Sequence, residues 1–553
     1  MATQAAASSG WRSRLNDALL AQTDALRRQQ VWREHPLIRV FTVLIVLLVS
    51  LPLGYLILRA VGAGDSALAY LTSQSTLRVI GNSIILMIAV VISAALIGVP
   101  FAWLTTRTDL PLRRFWLVTG LLTMVIPSYI GAMMYIAAFG PRGLLQGILE
   151  PLGVTQLPSI YGFFGAWLAI TLFSYPYVVL PVRTALLNLD PALEESARSL
   201  GLTRWRAFWR VTLPQLRPAL GVGMLLTALY TLSDFGAVSL MRYDAFTHAI
   251  YLQYTSSFDR SRAAMLSLVL VALTVVLLVL ERRMTHVQSR RNYRLGSGIS
   301  RRLRRVALGR WKFPALLFCG ALVGIGVFAP VAVLTLWMIN ALRIGLPVGE
   351  ILQPTLNSGW VSLLSAVVVA VIAIPPALLA VRSRSRFDGW LVQLAYIGNA
   401  LPGLVIALAL VFFAANYLPA LYQTMPVLIL GYSVRFLPLG IGATRSALTQ
   451  INPRCEEAAR SLGLRSWQVT LRVTAPLARA GILGGIALVF LNVMKELPTT
   501  LLLSPTGYST LPMVVWSANS AAMRAQIGAP ALVLIAVSSL SLLLLLQQQR
   551  KGG

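Results

Sequence analysis

Four ionisable residues lie inside strongly apolar runs: Asp234, Arg435, Lys495 and Glu496. A charge at the centre of a membrane helix costs about 3 kcal/mol or more unless it faces protein or water, so each needs a reason to be there. Asp234 and Glu496 stand 496 − 234 = 262 positions apart, an interval that recurs elsewhere in the chain. Two roles are open to the group. The acids line a translocation path, or Arg435 or Lys495 stands against them in a charge cluster that fixes helix packing. No catalytic or metal-binding constellation is legible, because His35, His248 and His286 lie on or beside different polar segments. Cys319 and Cys455 are too few for a disulfide framework or a metal site. A phosphate-cradling loop of the form G-x-x-x-x-G-K-[ST] requires a lysine after a glycine. The three lysines, Lys312, Lys495 and Lys551, do not follow one. The chain is therefore not expected to hydrolyse ATP in that way or to bind a cofactor itself.

The interval of 262 belongs to a repeat. RTALLNLDPALEESARSLGLTRWRAFWRVTLPQLRP, from Arg183 to Pro218, returns from Arg445 as RSALTQINPRCEEAARSLGLRSWQVTLRVTAPLARA. Asp190 and Asn452 suit N-caps, Pro191 and Pro453 suit the first helical position, and Gly201 and Gly463 suit the left-handed residue that stops a helix. Each copy thus opens with a helix of roughly ten residues. Leu193, Ala197 and Leu200 share one face, and Glu194, Glu195 and Arg198 point elsewhere. A second short helix carrying Trp205, Phe208 and Val211 should end at Pro214. Such a unit is too polar to span a bilayer yet lies between apolar runs, so it is expected to be a loop pressed against the membrane surface.

Those apolar runs make the class. With 57% hydrophobic and 12% charged residues in 553, the chain is a polytopic membrane protein. Runs long enough to cross a hydrocarbon core fall near 37–59, 80–104, 115–139, 160–184, 218–241 and 262–281. They resume near 314–341, 356–381, 388–415, 425–447, 480–503 and 528–547, giving two sets of six. Asn82-Ser83, Pro100 and Pro127 reappear as Asn357-Ser358, Pro375 and Pro402, displaced by 357 − 82 = 275. Parallel halves of six spans predict a pseudo-two-fold axis along the membrane normal. The formal charge of +29 is spread over short segments between spans, which argues against nucleic acid and for membrane topology. With a cytoplasmic N-terminal tail over 1–36, the inner connections hold Arg107, Arg113, Arg114, Arg382, Arg384, Arg386 and both repeated loops. The exceptions on the outside are Arg242, Arg260 and Arg262. Residues 282–313 read as a basic linker that faces anionic lipid, with ten Arg and one Lys in 282–312, and 548–553 as a second cytoplasmic tail. The first half is then 37–281 with its loop at 190–214, and the second is 314–547 with its loop at 452–476.

The loops resemble the EAA loop of ABC-transporter permeases, of the form E-A-A, Gly, I-x-L-P. Here the pattern reads Glu195-Ser196-Ala197, Gly201 and Val211-x-Leu213-Pro214 in the first copy. In the second it reads Glu457-Ala458-Ala459, Gly463 and Val473-x-Ala475-Pro476. The resemblance implies that these residues, with Arg198 and Arg460, dock on an ATP-binding subunit; the alternative is a pair of amphipathic interfacial helices. SDFGAVSLMRYDAFTHAIY at 233–251 and KELPTTLLLSPTGYSTLP at 495–512 resemble ferric-iron importer permeases, whose two halves are often fused. That likeness implies an all-α Type I importer fold of about twelve helices in the bacterial inner membrane. It also implies two copies of an ABC subunit that carries the ATP and Mg, and a periplasmic binding protein. Thiamine, phosphonate, polyamine and sulfate permeases share the loop, so the cargo is open at this point. Outside the class stand an ion-gradient-driven secondary transporter, with Asp234, Glu496 and Arg435 as coupling residues, and a membrane scaffold without transport. Tyr243, Asp244, Tyr251 and Tyr254 read as membrane-interface aromatics and their neighbour rather than an iron-ligand cluster.

Overall fold

The computed structural model describes residues 36–62, 69–141, 143–154, 156–189, 191–255, 260–292, 305–345, 351–383 and 385–551. The expected N-cap at Asp190, the N-terminal tail to residue 35, Arg384 and the middle of the basic linker lie outside them. Among the described residues ten helices are long and apolar enough to cross a membrane, or up to twelve if each of two bent pairs is one span. The bent pairs are the third span of each half, Arg113–Met124 with Ser128–Gly147 and Arg386–Ala400 with Gly403–Tyr417, each bent by 100°. Pro127 and Pro402 stand at the breaks. Proline has no N–H to give and its ring collides with the carbonyl four residues back, so the helix stops there and restarts in a new direction. All twelve apolar runs therefore find a counterpart, and no named strand occurs among the described residues, only one bridge between Thr108 and Val306.

Helix ends depart from the apolar runs in three places. The fifth span stops at Ser233 and the eleventh at Met494, well short of 241 and 503. Short helices Gly236–Leu240 and Pro498–Leu503 follow each break. Asp234, Lys495 and Glu496 thus sit at breaks rather than inside continuous helices. The sixth span, conversely, runs on as one helix from Arg260 to Asn292, into the stretch read as linker.

Contacts cluster into two compact units, one of residues up to Leu51 with Leu363–Asn399 and Tyr432–Phe490, the other of Pro52–Ser362, Ala400–Gly431 and the remainder from Leu491. Each unit mixes both halves. In the first, Arg39 of the first span makes a forked pair with Asp388, at the start of the ninth, with Nε to Oδ1 at 2.9 Å and Nη2 to Oδ2 at 3.0 Å. In the second, Lys312 opens the seventh span and lies 3.0 Å from Asp109, just before the third. The opening span of each half is in this way bonded to the third span of the other. Packing repeats the exchange: Tyr55 lies against Phe412 and Phe413, and the Tyr135 hydroxyl donates to the carbonyl of Ile325 at 3.2 Å. The end of the linker is fastened beside Asp109. Val306 N–H donates to the Arg107 carbonyl at 2.8 Å, and Leu308 N–H to Asp109 Oδ1 at 2.9 Å. The Leu308 amide and the Lys312 ammonium hold the Asp109 carboxyl below its usual range.

Candidate functional site

Each repeated loop folds as two helical pieces around a glycine. The helices are Pro191–Ser199 and Pro453–Ser461, and Asn452 caps the second by accepting from Arg454 N–H at 3.0 Å. Gly201 and Gly463 have φ of +90° and +85°. Around them the chain closes a pair of hydrogen bonds that satisfies the last carbonyls: Leu202 N–H to Ala197 O and Gly201 N–H to Arg198 O, repeated as Leu464 to Ala459 and Gly463 to Arg460. Beyond the turn the expectation of a helix ending at Pro214 fails. Arg204–Ala207 passes through a π-helical turn, Phe208–Thr212, straight into the fifth span, and Thr470–Thr474 does the same before the eleventh. The wider π turn accommodates Pro214 and Pro476, which cannot donate into an α-helical ladder.

The face shared by Leu193, Ala197 and Leu200 also departs from expectation. Ala197 and Ala459 are buried, whereas Leu193 is 42% exposed and Leu200 and Leu462 are 87% and 85% exposed. Glu195, Ser196, Arg198, Glu457 and Ala458 are exposed as well, and Arg460 is half-buried. An apolar rim with mixed charges is thus turned away from the rest of the chain. On the inner side of the second helix lies Glu456, which sequence reasoning passed over. It bonds Arg382 Nη2 at 2.9 Å and the Thr474 hydroxyl at 3.1 Å. A signal was present: Arg382 matches Arg107 at 275, and Glu456 and Thr474 match Glu194 and Thr212 at 262.

The intramembrane acids tie breaks together. Asp234 Oδ1 accepts from Ala237 N–H at 2.9 Å, capping the short helix, and Oδ2 accepts from the Ser128 hydroxyl beside Pro127. Glu496 accepts from the Thr499 hydroxyl at 2.9 Å, and that oxygen also lies 3.4 Å from the Gly403 carbonyl beside Pro402. In each half an acid at the break after the fifth span is therefore anchored at the break in the third. Both acids are buried, at 7% and 6% exposure. Lys495 Nζ donates at 3.0 Å to the Met124 carbonyl, which the break at Pro127 leaves without a helical partner. Arg435 lies half-buried within Met425–Gln450, its guanidinium over the Phe436 ring.

At the opposite end of the second span, the Asn-Ser pairs fasten the chain that follows these breaks. Asn82 Nδ2 donates to Asp244 O, the Tyr243 hydroxyl donates to Asn82 O, and Ser83 Oγ accepts from Phe246 N–H. Asn357, Tyr508, Ser509, Ser358 and Leu511 repeat all three bonds. Tyr243 is thus a structural donor to the second span. Tyr251 and its counterpart Trp516 both pack at a tilt against the buried Phe235, with centroids at 4.9 and 5.5 Å. Two of the basic exceptions have aromatic partners, Arg242 over Tyr161 and Arg262 over Tyr70.

Twin repeated loops, paired third-span breaks and opening spans exchanged between halves describe a duplicated chain of two six-span halves. The chain belongs to the family described as binding-protein-dependent transport system inner membrane component, whose profile matches residues 98–293 and 366–550. It is a multi-pass inner-membrane permease with a Type I importer fold. Among relatives, it is 33% identical over 524 residues to the Fe(3+)-transport system permease protein FbpB 2 of Haemophilus influenzae, covering 94% of this chain and 98% of that one. It is 26% identical over 446 residues to the ferric transport system permease protein FbpB of Actinobacillus pleuropneumoniae, covering 75% and 63%. The molybdenum transport system permease protein ModB of Escherichia coli matches at 30% over 201 residues, covering 35% of this chain and 86% of that one.

Proposed function

We propose that this chain is the permease subunit of an ABC importer for ferric iron, delivered by a periplasmic binding protein. The likeness over 94% of the chain to an Fe(3+) permease carries the choice of cargo, and it outweighs likenesses over 35% of it such as that to the molybdenum permease. ATP and Mg belong to two copies of a separate subunit, each gripping one loop through the exposed rim of Leu193 and Leu200 or of Leu462. The loops, both chain termini and the basic linker face the cytoplasm. Alternating access follows mechanically, because the π turns join each loop to a span without an intervening flexible segment. Asp234, Glu496 and Lys495 hold the breaks through which the path is opened, and Arg435 is a further candidate residue of that path.

The test is reconstitution. Purified chain with its nucleotide-binding partner and binding protein in liposomes should take up ferric iron only with internal-side ATP. Uptake driven by an ion gradient with the chain alone, or ATP-driven uptake of thiamine, phosphonate or sulfate in preference to iron, would refute the proposal.

A further inference from the structure

One carboxylate in the second loop holds three elements at once. Glu456 lies in the first turn of the helix Pro453–Ser461 and is 3% exposed. Its Oε1 is 2.9 Å from Arg382 Nη2, in the last turn of the eighth span, whose side chain is 9% exposed. The same oxygen accepts from the hydroxyl of Thr474, the final residue of the π turn that opens the eleventh span. Arg460 Nη2 stands 3.8 Å from Oε2, one turn further along. An acid in a first turn and a base in a last turn each lie favourably in their helix dipoles, so both partners are placed where the charges suit the helices that carry them.

We infer that Glu456, paired with Arg382, is the positioning residue that passes movement of the second loop helix on to the eighth and eleventh spans. The inference rests on the function proposed above. A helix of nine residues between Asn452 and Gly463 would be free to tilt when pushed if only the chain at its two ends held it. A buried ion pair with a supporting hydroxyl removes that freedom, because any other geometry leaves charge without a partner in a low dielectric. A push on the exposed side then displaces both span ends together. The first half carries the same residue types at the same displacements, as Arg107, Glu194, Arg198 and Thr212. Arg107 and Thr212 are buried there too.

Glu456→Gln keeps the shape and removes the charge, Thr474→Val removes the hydroxyl, and the exchange Arg382→Glu with Glu456→Arg restores the pair in reverse. Each full-length variant is reconstituted with its ATPase partner and binding protein, and ferric iron uptake and phosphate release are read in the same vesicles. Glu456→Gln should retain the partner but lose about tenfold in iron carried per ATP hydrolysed, as expected for about 1.4 kcal/mol of lost coupling. Thr474→Val should lose about twofold, and the exchange should regain much of the ratio. A residue that merely stabilises the fold would change the amount of assembled complex and leave iron per ATP at the wild-type value, and that result overturns the inference. Should Glu456→Gln fail to assemble, wild-type ratios in both Thr474→Val and Arg382→Lys overturn it equally. The wild-type chain measured alongside separates the two levels, since its own failure to carry iron would refute the proposed function instead.

Discussion

Replacing Gly463 isolates what the loop turn requires. A Cβ built at Gly463 or Gly201 meets nothing within 4 Å, so alanine introduces no clash there. The whole cost is in the backbone, where φ of +85° and +90° must be held by an L residue, at about 1–2 kcal/mol for each site. That corresponds to about a fivefold to thirtyfold fall in the population of correctly ended loop helix. Asparagine enters the left-handed region more readily than alanine, and a β-branched residue less readily, so activity should fall in the order Gly, Asn, Ala, Val. Each variant is assayed for ATP-driven iron uptake in proteoliposomes, with binding of the ATPase partner measured on the same preparation. The Gly201→Ala, Gly463→Ala double variant should approach the sum of the singles, about 2–4 kcal/mol, if the turns act independently. Wild-type uptake by the double variant would refute the reasoning. So would equal losses for Asn and Ala, which would point to contact with a partner surface rather than to φ.

Three other outcomes follow from the geometry. Asp234→Asn can keep its acceptor for Ala237 and turn an amide toward Ser128, so it should cost under about 1 kcal/mol in stability, whereas Asp234→Ala leaves two buried donors unmet at about 1–3 kcal/mol each; comparing thermal unfolding with uptake for the two shows whether the charge serves transport or packing. Arg39→Met should destabilise by about 1–3 kcal/mol, reduced from the value for a fully buried pair because Arg39 is 31% exposed, and the loss should show as a lower Tm that Asp388→Asn partly restores. The Asp109 carboxyl has a lowered pKa in the folded chain, so its contribution is complete above the ordinary value of 3.8 and is lost as pH falls through the lower folded value. Protease sensitivity next to Val306 should therefore rise only in strong acid in the wild type, and Asp109→Asn should show the raised sensitivity at every pH.

Local and periodic features were legible in the residues themselves. Twelve apolar runs, a duplication at 262 and 275, the Asn452 cap of the second loop helix and two positive-φ glycines all depend on near neighbours in sequence, and all have a counterpart in the structure. The meaning of the buried charges was not legible. Asp234 and Glu496 read equally as path residues or as packing residues, because their partners Ser128, Ala237 and Thr499 are chosen by where the proline breaks fall against each other. Arg39 and Asp388 are 349 positions apart, and no periodicity links them. Likewise the sequence showed Glu456 as one more polar residue on a short amphipathic helix; only the fold brings Arg382 and Thr474 to it. Hydrophobic patterning decides which segments leave water, whereas the pairing of charges that go with them is decided by tertiary packing, since a buried charge is stable only beside the particular partner that the assembled chain supplies.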